Sequence, residues 1–238
     1  MSRLSEYAGK RFSVFGDSIS TLSGYSEPFD AAFYEGARKI EADVYAPEDT
    51  WWGGVIDRLH GERFVNHSVS GCTVTYDPRY CIPSYGCSEV RVSSLRKNGC
   101  DPDVIMIFMG INDWGCGVRL TPRSAEEADD PGVFSVAYRK MLDALRRCYP
   151  KAEIWCLTIP VSLCSRRSDF VFPYRYGGWH LNEFCAEIRS AAAQYGCRLI
   201  DLYAASVPHD TIDGFHPNRD GMQTIADTVI KALEEETE

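Results

Sequence analysis

The chain has 238 residues, 45% of them hydrophobic and 25% charged, with a formal net charge of −9. That length suffices for one large domain with a substantial core, and the acidity leaves no basic stripe to meet nucleic-acid phosphates or an anionic membrane surface. The opening MSRLSEYAGKRFSV lacks the apolar run of a signal peptide, and no stretch approaches the roughly 20 apolar residues that span a bilayer, so a cytoplasmic protein without membrane insertion is expected.

Short apolar runs alternate with segments of helical period from end to end. Strands are expected over residues 11–15, 64–69, 104–109, 153–159 and 198–202, and "DVIMIFMG" is apolar enough for a central parallel strand covered on both faces. Between them, "TWWGGVIDRLHG" and "WHLNEFCAEIRSAAAQYG" read as helices closing on glycine. "FSVAYRKMLDALRRCY" puts Phe134, Tyr138, Met141, Leu145 and Cys148 on one stripe, and Met222, Ile225, Ala226, Val229, Ile230 and Leu233 recur at helical spacing near the end. Strand-helix alternation predicts an α/β protein, a five-stranded parallel sheet between two helical layers in the flavodoxin-like order 2-1-3-4-5. No linker or repeat interrupts it, so residues 1–238 are expected to form a single domain.

Residues 21–49, 73–88 and 162–178 do not fit the alternation, and long loops of this kind are usually functional. The third holds "DFVFPYRYGGWH", whose aromatics suit either a wall for a sugar or acyl group or a lid burying its own rings. Tyr176, Trp179 and His180 are its candidate substrate-binding residues. Ten cysteines are scattered without C-x-x-C or zinc-ligand spacing. Most of them, Cys148, Cys156 and Cys185 among them, read as small buried hydrophobes in a reducing compartment, and no metal or cofactor is called for.

The chemistry lies where strands end. The first expected strand stops at Gly16-Asp17-Ser18, the second runs to Gly71, the third into Gly110, Asn112 and Asp113, and "DTIDGFHPN" sets Asp213 three residues before His216. In a parallel sheet these termini share the edge where ligands bind. A serine after a strand is often a helix N-cap, but here a base and a carboxylate are expected to converge on it. A hydroxyl becomes a nucleophile when a base takes its proton. Histidine can take and return it near neutral pH, and a carboxylate can fix the imidazole tautomer. Ser18, His216 and Asp213 supply these roles. The Ser18 and Gly71 amides and the Asn112 side chain could form an oxyanion hole, where losing one donor typically costs about 2.7–4 kcal/mol. Asp17 and Asp113 read as partners of nearby backbone. His60, His67 and His209 lack a comparable setting.

In these blocks the chain resembles the SGNH hydrolases, the GDSL esterase/lipase family. "GDSIS" stands for the first block with Ile19 in place of leucine, Gly71 for the second, Gly110, Asn112 and Asp113 for the third, and Asp213 and His216 for the last, followed by Pro217-Asn218. The resemblance spans Gly16 to His216 and implies the five-stranded three-layer fold, with Ser18 forming an acyl-enzyme that water, activated by His216, then hydrolyses. It also implies a small-molecule ester substrate. The aromatic loop favours a short acyl group, acetyl in particular, on a carbohydrate or other small alcohol. The same triad serves lysophospholipases, thioesterases, arylesterases and acyltransferases, whereas a non-catalytic module on this fold would usually have lost Ser18, Asn112 or His216. No P-loop, G-x-G-x-x-G or G-x-S-x-G elbow competes with this reading.

Overall fold

The computed structural model describes residues 3–26, 31–76 and 85–235. Along the chain run β1 (Arg11–Gly16), α1 (Gly36–Ala42), α2 (Trp51–Arg58), β2 (Glu62–Asn66), α3 (Glu89–Ser93), β3 (Val104–Phe108), α4 (Ile111–Gly115), α5 (Phe134–Cys148) and β4 (Glu153–Leu157). The short strands β5 (Ser162–Leu163), β6 (Arg175–Tyr176) and β7 (Trp179–His180) follow, then α6 (Leu181–Gln194), β8 (Arg198–Ile200), α7 (Leu202–Ala205), β9 (His209–Asp210) and α8 (Arg219–Glu235). The main sheet is parallel throughout, in the order β2-β1-β3-β4-β8. Counting only its own strands, this is the expected 2-1-3-4-5.

The pleat divides the core in two. Val104, Met106 and Phe108 of β3 join Phe12, Val14, Trp155 and Leu157 under α2 and α8. Ile105 and Ile107 face the other way, with Phe15, Ile154 and Cys156, beneath α3, α5 and α6. All five β3 side chains are buried, because a parallel strand covered on both faces has no solvent side.

The departures from expectation have local causes. The second strand runs over Glu62–Asn66 rather than 64–69; past Asn66 the chain still donates to β1, His67 N–H to the Val14 carbonyl (2.9 Å) and Val69 N–H to the Gly16 carbonyl (3.2 Å), while the Ser68 N–H turns onto the Asn66 side chain (3.0 Å). The helix after Thr50 turns through His60 at φ 53°, one residue before the expected glycine. α1 lies inside the stretch read as irregular; only Ala42 of its seven residues is buried, so it carries no apolar stripe. β5 and β9 pair as a small parallel sheet, and β6 and β7 form a hairpin, both too short to leave a period in the sequence. Cys72, Cys156, Cys164 and Cys185 are buried, Cys148 is partly so, and Cys100 and Cys116 are exposed; none of the nine described cysteines forms a disulfide. Cys81 lies outside the described residues. Among the described residues, no helix is long and apolar enough to cross a membrane.

Candidate active site

β1 delivers Gly16 to the C-terminal edge of the sheet, and the chain turns at once into a single 3-10 turn, Ser18–Ser20. The cap of that turn is Asp17, whose carboxylate accepts the Ile19 N–H at 3.1 Å. The Ser18 hydroxyl is therefore left for other work. Gly16 is required because a Cβ there would lie 2.5 Å from Ser20 Oγ and 2.9 Å from Ser68 Oγ.

Burial pushes the Asp17 carboxyl up to about 7, against the hydrogen bond from Ile19, which lowers it. The unfolded chain releases this proton near pH 3.8, so between about pH 4 and 7 the folded state holds the extra proton and stability falls as pH rises. Asp17→Asn keeps an acceptor for Ile19 but cannot titrate. The wild type is expected to lose stability relative to this variant between pH 4 and 7, by an amount on the order of a few kcal/mol, seen as a falling Tm. Calorimetry of both proteins across that range checks it; a constant difference would mean that Asp17 is ionised throughout.

Opposite Ser18, residues 211–217 form a turn closed by the Ile212 N–H on the His216 carbonyl (2.9 Å) and a bridge between Thr211 and Pro217. Asn218 ends it by accepting the Gly221 N–H of α8 (2.8 Å). Within the turn, Asp213 Oδ1 accepts the backbone N–H groups of Phe215 (2.9 Å) and His216 (2.8 Å). Asp213 Oδ2 accepts His216 Nδ1–H at 2.7 Å, and the Ser18 hydroxyl donates to His216 Nε2 at 2.9 Å. Burial raises the Asp213 carboxyl, but the bond from His216, the charge of that ring and the two backbone donors outweigh it and bring it down to about 2. An ionised carboxylate can only accept, which puts the imidazole proton on Nδ1 and leaves Nε2 as the acceptor facing Ser18.

The third strand end supplies an amide. Gly110 takes φ 123° and α4 begins at once. One N–H of the Asn112 side chain donates to the Cys72 carbonyl at 2.9 Å, which leaves its second N–H available to a ligand. The Ser18 and Gly71 amides have no partner within the protein among the described residues. Asp113 is fully buried and accepts Val74 N–H (2.8 Å), Thr75 N–H (3.0 Å) and the Thr75 hydroxyl (2.8 Å). It thereby holds the segment that follows Gly71.

A buried arginine not singled out in the sequence supports the same edge. Arg91 of α3 donates to the carbonyls of Gly16 (3.1 Å) and His67 (2.6 Å), and its guanidinium lies 4.4 Å from the Phe15 ring centroid. It ties the loop before Ser18 to the loop that carries Gly71. His67 beside it is pushed down to about 4, by burial first and the Arg91 charge second. Among the described residues, no group of three or more His, Cys, Asp or Glu is placed to hold a metal ion.

A cavity of about 290 Å³ opens beside Ser18 and His216, walled by Ile19, Ile111, Trp114, Tyr176 and Phe215, with Asn112 and Cys116 on its border. Tyr176 reaches it because Gly177 packs against Gly117; a Cβ on Gly177 would come within 2.2 Å of the Gly117 Cα. Trp179 and His180 are not among the cavity's walls. Trp179 gives its carbonyl to Trp114 Nε1–H (3.1 Å), and His180 caps α6 by accepting the Asn182 N–H (3.1 Å) while it stacks on Tyr174. The first of these bonds ties the hairpin to α4, and the second starts α6. Beside Tyr176 and Phe215, the cavity's wall includes the indole of Trp114, which follows Asn112-Asp113 directly in sequence.

A serine, a histidine and a carboxylate in hydrogen-bonded series at the C-terminal edge of this sheet define an ester-bond hydrolase of the three-layer α/β class. The sequence matches the model of the GDSL-like Lipase/Acylhydrolase family over residues 14–224, and the chain belongs to that family. Among solved structures it is similar to a Bacteroides ovatus protein named as a GDSL-like lipase, at 28% identity and a TM-score of 0.71, over 97% of this chain and 100% of that one. A second, from Bacteroides uniformis and similarly named, shares 26% identity over 95% and 96% of the two chains, also at a TM-score of 0.71. The fold is shared with Est24, a carbohydrate acetylesterase from Sinorhizobium meliloti, at 17% identity and a TM-score of 0.62 over 93% and 97%. A comparison with curated proteins finds no match.

Proposed function

We propose that the protein is a serine esterase that removes short acyl groups, acetyl above all, from a carbohydrate or another small alcohol. Ser18 attacks the acyl carbon as His216 Nε2 takes its proton. The Ser18 and Gly71 amides and the Asn112 side chain hold the oxyanion, and Asp213 balances the imidazolium. His216 then returns the proton to the leaving alkoxide, leaving an ester on Ser18. Water deprotonated by the same nitrogen hydrolyses that ester. Each step uses only the protein's own side chains and backbone amides, and water, and the whole chain acts as one hydrolase domain.

The observation that carries the preference for a short acyl group is the cavity beside Ser18. At about 290 Å³ it falls at the lower end of the range for small-molecule sites, and a long acyl chain needs a longer apolar channel. Its aromatic walls, Trp114, Tyr176 and Phe215, suit the flat apolar face of a pyranose, and the fold-mate from Sinorhizobium meliloti is named for acetyl removal from carbohydrate. A cytoplasmic location is part of the proposal, supported by ten cysteines, none of which is in a disulfide among the nine described.

Hydrolysis of p-nitrophenyl esters from acetate to palmitate tests this. The expected result is a maximum kcat/KM on acetate that fades by about octanoate, as the lost fit of each added methylene accumulates. A maximum at long chains would overturn it in favour of a lipase or lysophospholipase. No turnover of any ester would point to a demanding acceptor or a binding role.

A further inference from the structure

We propose that Phe33 is a positioning residue for His216, fixing the plane of the imidazole and favouring the imidazolium that each proton transfer creates. This rests on the assignment of His216 as general base. The Phe33 ring is buried and lies face to face on the His216 ring, with centroids 3.5 Å apart and planes 7° from parallel. At that separation the rings are in van der Waals contact, so rotation about the histidine Cβ–Cγ bond would drive one edge of the imidazole into the phenyl. The Nε2 lone pair therefore stays in the plane that contains Ser18 Oγ.

The stacking geometry also has an electrostatic sign. Two neutral aromatic rings prefer an offset or an edge-on approach to a direct sandwich, whereas a cation over a phenyl face is attracted by the ring quadrupole. The contact is thus weakest as an attraction when His216 is neutral and strengthens when the ring takes the Ser18 proton. An interaction that grows on the way to the transition state raises turnover rather than substrate affinity.

Phe33 is tied to both halves of the site. Its N–H donates to Thr21 Oγ1 (2.8 Å), and that hydroxyl donates to the Ser18 carbonyl (2.8 Å). The neighbouring Tyr34 hydroxyl donates to the Pro217 carbonyl, one residue beyond His216 (2.8 Å), and the Ala31 carbonyl accepts the Ser70 N–H next to Gly71 (2.8 Å). The Arg38 guanidinium sits 4.4 Å from the Phe33 centroid.

The test compares Phe33→Met, which fills the space without a ring, and Phe33→Tyr, which keeps one. Readouts are kcat and KM on p-nitrophenyl acetate and the ¹H resonances of the His216 ring, assigned by their loss in His216→Ala. Phe33→Met is expected to lower kcat roughly 10- to 100-fold with KM within about twofold, and to abolish the ring-current shift of the His216 protons. Phe33→Tyr is expected to retain both within about threefold. Wild-type kcat in Phe33→Met, or equal losses in the Met and Tyr variants, overturns the proposal. If Phe33→Met fails to fold, Phe33→Leu replaces it under the same criteria. An active His216→Ala would instead remove the general-base assignment on which the proposal stands.

Discussion

Ser18→Ala and His216→Ala are each expected to lower kcat/KM on an activated acetyl ester by about 10⁴- to 10⁶-fold, and the double variant is expected to lose no more than the worse single. The reason lies in the 2.9 Å bond between Ser18 Oγ and His216 Nε2. In the proposed mechanism nucleophile and base act as one unit, so removing either leaves the other with nothing to do, and the losses overlap instead of adding. A residual rate above water is expected from oxyanion donors that survive both changes. Stability separates a chemical loss from a folding one. The Ser18 side chain is not used to cap the turn, since Asp17 does that, and Ser18→Ala is expected to keep Tm within a few degrees of wild type. Enzyme at matched concentration, assayed by p-nitrophenol release and by melting, reads both. Activity surviving in a folded Ser18→Ala protein would overturn the assignment of the nucleophile.

How much of this was legible beforehand depends on what each residue leaves in the sequence. Ser18 and Asn112 stand in short blocks directly after apolar runs, and the parallel order of those runs brings their ends to one edge; Asp213 and His216 lie in the turn between β9 and α8, where only their three-residue spacing marks them. The central strands were readable because burial on both faces leaves β3 almost wholly apolar. Phe33 and Arg91 left no such mark. Phe33 lies in an irregular stretch between β1 and α1, and its importance comes from a ring-on-ring contact with a residue 183 positions away. Arg91 sits on a five-residue helix too short to show a period, and its buried charge is met by carbonyls from the end of β1 and the loop after β2.

The aromatic loop shows a different limit. Composition pointed to an aromatic wall, but could not say which rings face the cavity. Tyr176 and Trp179 are cross-strand partners in the β6–β7 hairpin, yet only Tyr176 lines the cavity. The choice is made by the contact of Gly177 with Gly117 and by the Trp114 indole holding the Trp179 carbonyl. Both are tertiary contacts between segments about 60 residues apart, and neither has a local signature.

Asp213→Asn is expected to lower kcat by about 10⁴-fold at neutral pH, with KM little changed. Asp213 makes three hydrogen bonds and accepts in all of them: two from backbone N–H groups through Oδ1, and one from His216 Nδ1–H through Oδ2. An asparagine in the same pose has one acceptor and one donor. The backbone pair holds the amide oxygen, so the NH₂ group faces His216 Nδ1 and can be satisfied only if that nitrogen becomes an acceptor. The imidazole proton then moves to Nε2 and points at Ser18, where a base is needed. The fold is expected to persist, because the turn around Asp213 keeps both of its backbone bonds. Asp213→Ala sharpens the test. It frees the tautomer while removing the orienting bond, so it is expected to be no worse than the asparagine variant. Stopped-flow rates on p-nitrophenyl acetate and the ¹⁵N shifts of the His216 ring nitrogens follow activity and tautomer together. An asparagine variant within tenfold of wild type, with Nδ1 still protonated, would mean that Asp213 does not set the state of the base.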